Sequence, residues 1–189
     1  MTRDTRHVRG GASALAGLLF ALSVAAAAAT ASRAPDWMLD AADGRAISFH
    51  ADAAGQPAVL LFWASWCPYC RALFPHLDAL RAEYEPRGVR FYALNVWEDG
   101  DPIAYMREHG YAMTLITAAD LVAEEYGVTG TPAVFVTDRA HRIRYRRGSG
   151  EAPREVVGAV RAALDAALAD QPDRGTTHPA EENHTCSDC

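Results

Sequence analysis

Basic side chains are scarce and dispersed in this chain. Its 189 residues include 18 Lys and Arg against 24 Asp and Glu, which gives a formal net charge of -6 at pH 7. Arginine is concentrated only in the short stretch 142–147, whereas binding to nucleic acid requires an extended basic surface. The sequence therefore predicts no nucleic-acid partner.

Internal repeats are also missing, which excludes a repeat architecture. Half of the residues are hydrophobic, and this is enough apolar material for one packed core of ordinary domain size. We predict a single domain over residues 36–169. The polar residues 170–189, which include Pro172 and Pro179, are predicted to form a flexible tail.

Charged residues are absent from positions 12–29, an unbroken small and apolar run that follows several arginines. A secretory signal peptide typically has a positively charged start, an apolar middle and an Ala-x-Ala-like cleavage site. We assign residues 1–31 as such a signal peptide, with cleavage after Ala31. An uncleaved membrane anchor is the alternative, because the run is close to the shortest length that spans a bilayer. Both interpretations predict an exported or periplasmic protein, and only the anchor predicts membrane contact.

Cysteines are few, and their spacing is short. The four cysteines form two C-x-x-C pairs, Cys67/Cys70 and Cys186/Cys189. Structural disulfides are common in exported proteins, but closing so short a loop removes little conformational entropy from the unfolded chain. The spacing therefore favours redox or metal chemistry over a structural role.

The order of apolar patterns and turn signals predicts an α/β fold with a central mixed sheet flanked by helices. We predict a hairpin in residues 36–49 and a buried strand over 58–63. A helix follows from Pro68 to about residue 84. The remaining predictions are a strand over 89–96, a helix over 101–110, a strand over 113–116, a helix that Asp120 caps and that runs through Tyr126, strands over 133–137 and 142–147, and a helix over 153–169.

The first cysteine pair lies where a buried strand is predicted to meet a helix. The first turn of a helix presents unpaired N–H groups and a partial positive charge, which favour a thiolate on Cys67. In such motifs the thiol pKa falls from about 8.5 to roughly 3.5–7.5. We therefore predict that Cys67 is an accessible nucleophile and that Cys70 is the resolving thiol. A structural disulfide is the alternative.

Two segments resemble the signatures of the thioredoxin superfamily. Residues 62–70, Phe-Trp-Ala-Ser-Trp-Cys-Pro-Tyr-Cys, followed by Pro75, resemble its active-site signature, and residues 126–132, Tyr-Gly-Val-Thr-Gly-Thr-Pro, resemble its second signature. The resemblance implies a thioredoxin fold with an N-terminal β-hairpin and an inserted helix. It is strongest to the TlpA, ResA and CcmG (DsbE) branch of exported thiol-disulfide reductases.

The resemblance implies an enzyme, a thiol-disulfide oxidoreductase with no cofactor besides the redox-active Cys67–Cys70 disulfide. Its implied substrate-binding residues are Trp66, Pro68, Tyr69, Thr131 and a cis Pro132. Its implied partners are protein thiols or disulfides and a membrane or periplasmic thiol electron donor. The branch favours a reductant that serves apocytochrome c in cytochrome c maturation, copper-site thiols or misoxidised exported proteins. A DsbA-like oxidant is the alternative.

The chain departs from the family at two proton-handling positions. Leu61 stands where thioredoxin has a buried aspartate, and Leu73 stands where ResA-like proteins have a glutamate. We therefore expect water or another group, with Glu98 as the candidate, to accept the proton of Cys70.

Four scattered histidines are predicted to be solvated surface residues, namely His50, His76, His109 and His141.

The polar tail contains a second group of chemically active side chains. Thiolates and imidazoles suit Cu(I) and Zn(II), and the tail candidates are His178, His184, Cys186 and Cys189. Their spacing matches no standard zinc module. An idle disulfide and a redox relay to Cys67 are further interpretations, and an exported copper-handling metallochaperone is the alternative function.

Overall fold

A computed structural model describes residues 31–148 and 150–170 of the chain. The predicted signal peptide, except for Ala31, and almost the whole predicted tail lie outside these residues, and so do the candidate metal ligands His178, His184, Cys186 and Cys189. Within the described residues, no helix is both long and apolar enough to cross a membrane.

The described chain forms a central mixed sheet with helices around it and a separate hairpin. The elements are β1 (Met38–Asp40), β2 (Ala46–Ser48), α1 (Phe49–Asp52), β3 (Ala58–Trp63), α2 (Pro68–Tyr84), β4 (Arg90–Asn95), α3 (Pro102–His109), β5 (Thr114–Ile116), α4 (Asp120–Glu125), β6 (Ala133–Thr137), β7 (Ile143–Arg146) and α5 (Pro153–Ala169). The five-stranded sheet has the order β5-β4-β3-β6-β7, and β1 and β2 form the hairpin. The predicted fold class is confirmed.

Strand β3 lies at the centre because all six of its side chains are apolar and buried. It pairs with β4 in parallel and with β6 antiparallel. Alternate side chains of a strand point to opposite faces, so Leu61 and Trp63 belong to one core cluster, whereas Leu60 and Phe62 belong to the other. A strand covered on both faces requires such a continuous apolar run.

Helix α2 packs against the centre of the sheet and against α5. Its apolar residues recur at helical spacing, and five of them are buried, namely Leu73, Phe74, Leu77, Leu80 and Tyr84. The Tyr84 hydroxyl donates to Asp165 of α5 at 2.9 Å. Because β3 leads into α2 through only four residues, 64–67, Cys67 is held at the carboxyl end of the central strand.

The N-terminal segment 32–42 contacts both edges of the central sheet. At the β7 edge, Arg33 forms a bridge with Arg142, and the amide of Ile143 donates to the Ser32 carbonyl at 2.9 Å. At the β5 edge, Ala41 forms a bridge with Ile116. This segment therefore spans the sheet from one side to the other.

One predicted strand boundary and one predicted helix cap are wrong. Phe49 begins the short helix α1 instead of ending strand β2. Asp120 is the first residue of α4, and the N-cap is Ala119. The Asp120 carboxylate does not cap its own helix because it accepts the amide of Trp97 at 2.9 Å, and Trp97 has a left-handed φ of 50°.

The prediction of four solvated histidines is wrong for two of them. His141 is buried, with 6% of its surface exposed, and its ring stacks on that of His50 with centroids 4.2 Å apart. The N-terminal segment covers this pair, since a ring nitrogen of His50 lies 3.0 Å from the Ala34 carbonyl oxygen. His76 and His109 are exposed, as predicted.

Candidate active site

The two cysteines of the first pair lie together at the start of α2. Cys67 is the N-cap residue, and its Sγ accepts the backbone N–H of Cys70 at 3.2 Å. Both are free thiols. This arrangement places the two side chains within reach of one another, as the C-x-x-C spacing predicts.

The prediction that Cys67 is accessible is wrong for this conformation. Only 2% of the Cys67 surface and 1% of the Cys70 surface are exposed. The loop before β6 lies against the sulfur, and the Cys67 thiol donates to the Thr131 carbonyl at 3.6 Å. A substrate must therefore displace part of this covering contact before it reaches the sulfur.

The second signature is brought to the first by strand pairing. In the antiparallel pair of β3 and β6, Phe62 is opposite Ala133, so Thr131 and Pro132 extend beyond the same sheet end that carries Cys67. The Thr131–Pro132 peptide bond is cis. Pro132 is buried and Thr131 is partly exposed.

Aromatic side chains surround the cysteine pair on the surface. Trp66 is 46% exposed and Tyr69 is 72% exposed, and Pro68 is exposed between them. The indole N–H of Trp66 donates to the Trp97 carbonyl at 2.8 Å. Trp97, which is also exposed, was not predicted as a site residue, because only the fold of the β4–α3 connection brings it here.

A groove of 590 Å³ runs beside the second signature and is lined by residues 127–133, Tyr69 and two arginines. Arg147 donates to the Pro132 carbonyl at 2.9 Å, and Arg146 donates to the Gly127 carbonyl at 2.8 Å. The sequence predicted an arginine-rich strand over 142–147 but gave no signal that its side chains hold this loop.

Glu98 binds the loop before Cys67, and its predicted proton-accepting role receives no support from the geometry. Its carboxylate accepts the Ser65 amide at 2.8 Å, the Ser65 hydroxyl at 2.7 Å and the Asn95 side-chain amide at 2.6 Å. Partial burial acts to raise the pKa of Glu98, but these hydrogen bonds and one from Gly100 outweigh it and hold that pKa below its ordinary value. In the described part of the chain, none of its hydrogen bonds reaches a thiol.

Cys70 lies in an apolar environment. Burial, together with the hydrogen bond to the Cys67 side chain, raises the pKa of Cys70 from 9.0 to about 12. Leu61 and Leu73, which occupy the positions of the family's carboxylates, belong to the same buried cluster. Among the described residues, no carboxylate is hydrogen-bonded to Cys70.

The raised pKa of Cys70 predicts an alkaline loss of stability that is specific to the reduced protein. Between pH 9 and 12 the unfolded thiol loses its proton while the folded thiol keeps it, so the stability of the dithiol form decreases as pH rises. Relative to the disulfide form, we expect a loss approaching about 1.4 kcal/mol per pH unit in this range. Urea unfolding of both forms between pH 8 and 11 measures it, and parallel pH profiles would contradict the assignment.

The chain is similar in sequence to a known protein family and to several known proteins. The model of the AhpC/TSA family matches residues 30–146. The thiol:disulfide interchange protein DsbE of Escherichia coli K12 is 33% identical over 125 residues, which cover 64% of this chain and 65% of the relative, slightly less than two thirds of its length. The DsbE homolog of Paracoccus denitrificans is 38% identical over 95 residues, which cover 48% of this chain and 51% of that relative.

Solved structures agree with this comparison. A crystal structure assigned as thiol:disulfide interchange protein DsbE from Chlorobium tepidum superimposes with a TM-score of 0.66 at 28% identity. The superposition covers 74% of this chain and 97% of that chain.

Proposed function

Since this chain belongs to the AhpC/TSA family of thioredoxin-fold proteins, we propose that it is an exported thiol-disulfide oxidoreductase that reduces protein disulfides. One observation carries the proposal. Cys67 occupies the N-cap of α2, with the Cys70 amide 3.2 Å from its sulfur and the Thr131 carbonyl 3.6 Å away. The names of the relatives, which describe thiol:disulfide interchange, support the same chemistry.

The proposed reaction has two exchange steps. The Cys67 thiolate attacks one sulfur of a substrate disulfide, and the other substrate sulfur leaves as a thiolate. Cys70 then loses its proton to water and attacks the Cys67 sulfur. This releases the reduced substrate and leaves a Cys67–Cys70 disulfide, which an electron donor must reduce again.

The surface around Cys67 suits an extended polypeptide substrate. The groove beside residues 127–133 offers backbone groups, and the exposed rings of Trp66 and Tyr69 offer apolar contact area. Contact with the loop containing Thr131 and Pro132 would move its carbonyl away from the Cys67 thiol and expose the sulfur.

The resemblance to exported thiol-disulfide reductases supports the reducing direction. Disulfide oxidants of this type are strong because their reduced form is stabilised. Burial raises the pKa of Cys70 to about 12, so Cys70 is a neutral thiol at neutral pH and contributes no thiolate to such stabilisation.

Export is the second part of the proposal. It rests on the sequence of residues 1–31, in which a positive start precedes an apolar run and an Ala-x-Ala site. The protein disulfides of exported proteins, including those of apocytochrome c, are the substrates that the sequence resemblance favours.

The reduction potential of Cys67/Cys70 tests the direction. We expect the pair to equilibrate with a glutathione buffer at about -200 mV or below, towards the value of about -270 mV for thioredoxin. The Cys186→Ser/Cys189→Ser variant restricts the measurement to the first pair. A potential close to about -120 mV, as in a strong oxidant, would overturn the reducing assignment.

A further inference from the structure

We propose that the second cysteine pair, Cys186/Cys189, is an internal exchange partner that passes electrons to the Cys67/Cys70 disulfide. The inference rests on the proposed function and extends it to the tail, with the groove beside residues 127–133 as the docking site. Four observations carry it, namely a positively charged strand face, the position of the last residue that the structure describes, the charge of the tail and its reach.

The outer face of β7 and the residue before it carry three exposed arginines, Arg142, Arg144 and Arg146, which we call the arginine strip. Residues two apart on a strand share a face. Asp138 accepts Arg142 at 2.8 Å and lies 3.4 Å from Arg144, while Arg146 donates to backbone carbonyls. Two carboxylates, those of Asp138 and Asp170, therefore lie beside the three guanidinium groups, and the strip retains a net positive charge at Arg146.

The last residue that the structure describes lies beside this strip. Helix α5 ends at Ala169, and the carboxylate of Asp170 lies 4.0 Å from the Arg144 guanidinium. Two residues further along β7, Arg146 already lines the groove. The strip therefore connects the first residues of the tail with the site.

The tail has the opposite charge. Residues 171–189 contain four acidic side chains, at positions 173, 181, 182 and 188, against the single Arg174, which is a net charge of -3. Opposite charges increase the local concentration of one surface near the other, and salt weakens this effect. Charge complementarity thus favours the strip as the path of the tail.

The tail is long enough to reach Cys67. Cys186 lies sixteen positions after Asp170, and a fully extended chain of sixteen steps spans about 53 Å. The step from Arg144 to Arg146 along the strand is only about 7 Å. The groove continues from Arg146 to Thr131 and Pro132, and the Thr131 carbonyl contacts the Cys67 thiol.

The exchange balances without any further reagent. The Cys186 thiolate attacks Cys67 Sγ in the Cys67–Cys70 disulfide, and Cys70 leaves as a thiolate that takes up a proton. The Cys189 thiolate then attacks Cys186 Sγ in the mixed disulfide, and Cys67 leaves. Two electrons pass from the tail pair, which becomes a disulfide, to the first pair, which becomes a dithiol.

Counting electrons in a single turnover tests the inference. The fully reduced protein, freed of reductant and kept in chelator, is mixed with excess insulin, and the new insulin thiols are counted by alkylation and mass spectrometry. We expect two insulin disulfides reduced per molecule of the four-cysteine protein. We expect one for the Cys186→Ser/Cys189→Ser variant and almost none for the Cys67→Ser/Cys70→Ser variant, whose tail is intact.

The outcomes separate the two proposals. One disulfide per molecule in both the four-cysteine protein and the tail variant would overturn the relay and leave the proposed function standing. Reduction of insulin by the Cys67→Ser/Cys70→Ser variant would also overturn the relay, because the tail would then act alone. No reduction by the tail variant would overturn the proposed function itself.

The path of the tail is tested by reversing one charge. In the Arg144→Glu variant we expect the second insulin disulfide to be reduced about tenfold more slowly, whereas the rate for the first insulin disulfide is unchanged. In the unmodified protein we expect added salt to slow reduction of the second insulin disulfide. Arg107→Glu, at an exposed position of α3, the helix that connects β4 to the edge strand β5, is the matched control. Equal effects of the two variants would overturn the strip as the path.

Discussion

Replacement of Cys67 by serine is expected to lower disulfide reduction by at least about a thousandfold, because the hydroxyl cannot act as the attacking thiolate. The side chains are almost isosteric, and Cys67 is buried at the N-cap of α2, so the fold should be retained. Steady-state reduction of insulin, measured in the Cys186→Ser/Cys189→Ser background, provides the rate. Unchanged circular dichroism establishes that the variant is folded.

Cys70→Ser is the matched variant, and it should fail at a different step. It keeps the nucleophile and loses the thiol that resolves the mixed disulfide. We expect little turnover but accumulation of a covalent complex between Cys67 and the substrate, visible on a non-reducing gel. Normal turnover by either variant, or a covalent complex with Cys67→Ser, would contradict the assigned roles.

Glu98→Ala is expected to reduce stability by about 3 kcal/mol, because hydrogen bonds to a charged group contribute about 1.5–3 kcal/mol each and their loss leaves buried donors unpaired. The donors concerned are the Ser65 amide and hydroxyl and the Asn95 side chain. Activity should also fall, since Ser65 is two residues before Cys67. Urea unfolding measures the stability, and Asp99→Ala, at an exposed neighbour, is the control.

The pH dependence of this effect has a definite sign. Hydrogen bonding holds the pKa of Glu98 below its ordinary value, so its contribution is present at neutral pH and is lost on acidification through that lowered pKa. Glu98→Gln should retain part of the stability and lose this acid dependence. An equal loss of stability for Glu98→Ala and Asp99→Ala would show that the carboxylate does not hold the loop.

Much of the fold could be predicted because its signals are local. The apolar run of β3, the helical spacing in α2 and the capping by Asp101, which accepts the Ala104 amide at 2.9 Å, each depend on a few neighbouring residues. The predicted strands over 89–96 and 142–147 begin and end within one residue of β4 and β7. Local periodicity determines such elements before tertiary contacts form.

The parts that could not be predicted depend on contacts distant in the sequence. The stacking of His50 on His141 joins residues 91 positions apart, and the N-terminal segment contacts His50 through the Ala34 carbonyl. The role of Glu98 depends on a partner in the loop before Cys67. Cys67 has low exposure because the Thr131 carbonyl contacts its sulfur. The register between β3 and β6 brings the two residues together.

The segment that spans the sheet is expected to oppose self-association. Outer strands with unpaired backbone groups can template growth by other molecules, and here residues 32–34 and 41–42 pair with backbone at both margins. If the predicted signal peptide is removed, the position of the cut determines whether this backbone pairing is kept. The predicted cut after Ala31 would preserve Ser32, whose carbonyl accepts the Ile143 amide, whereas trimming a few residues further would unprotect the β7 margin.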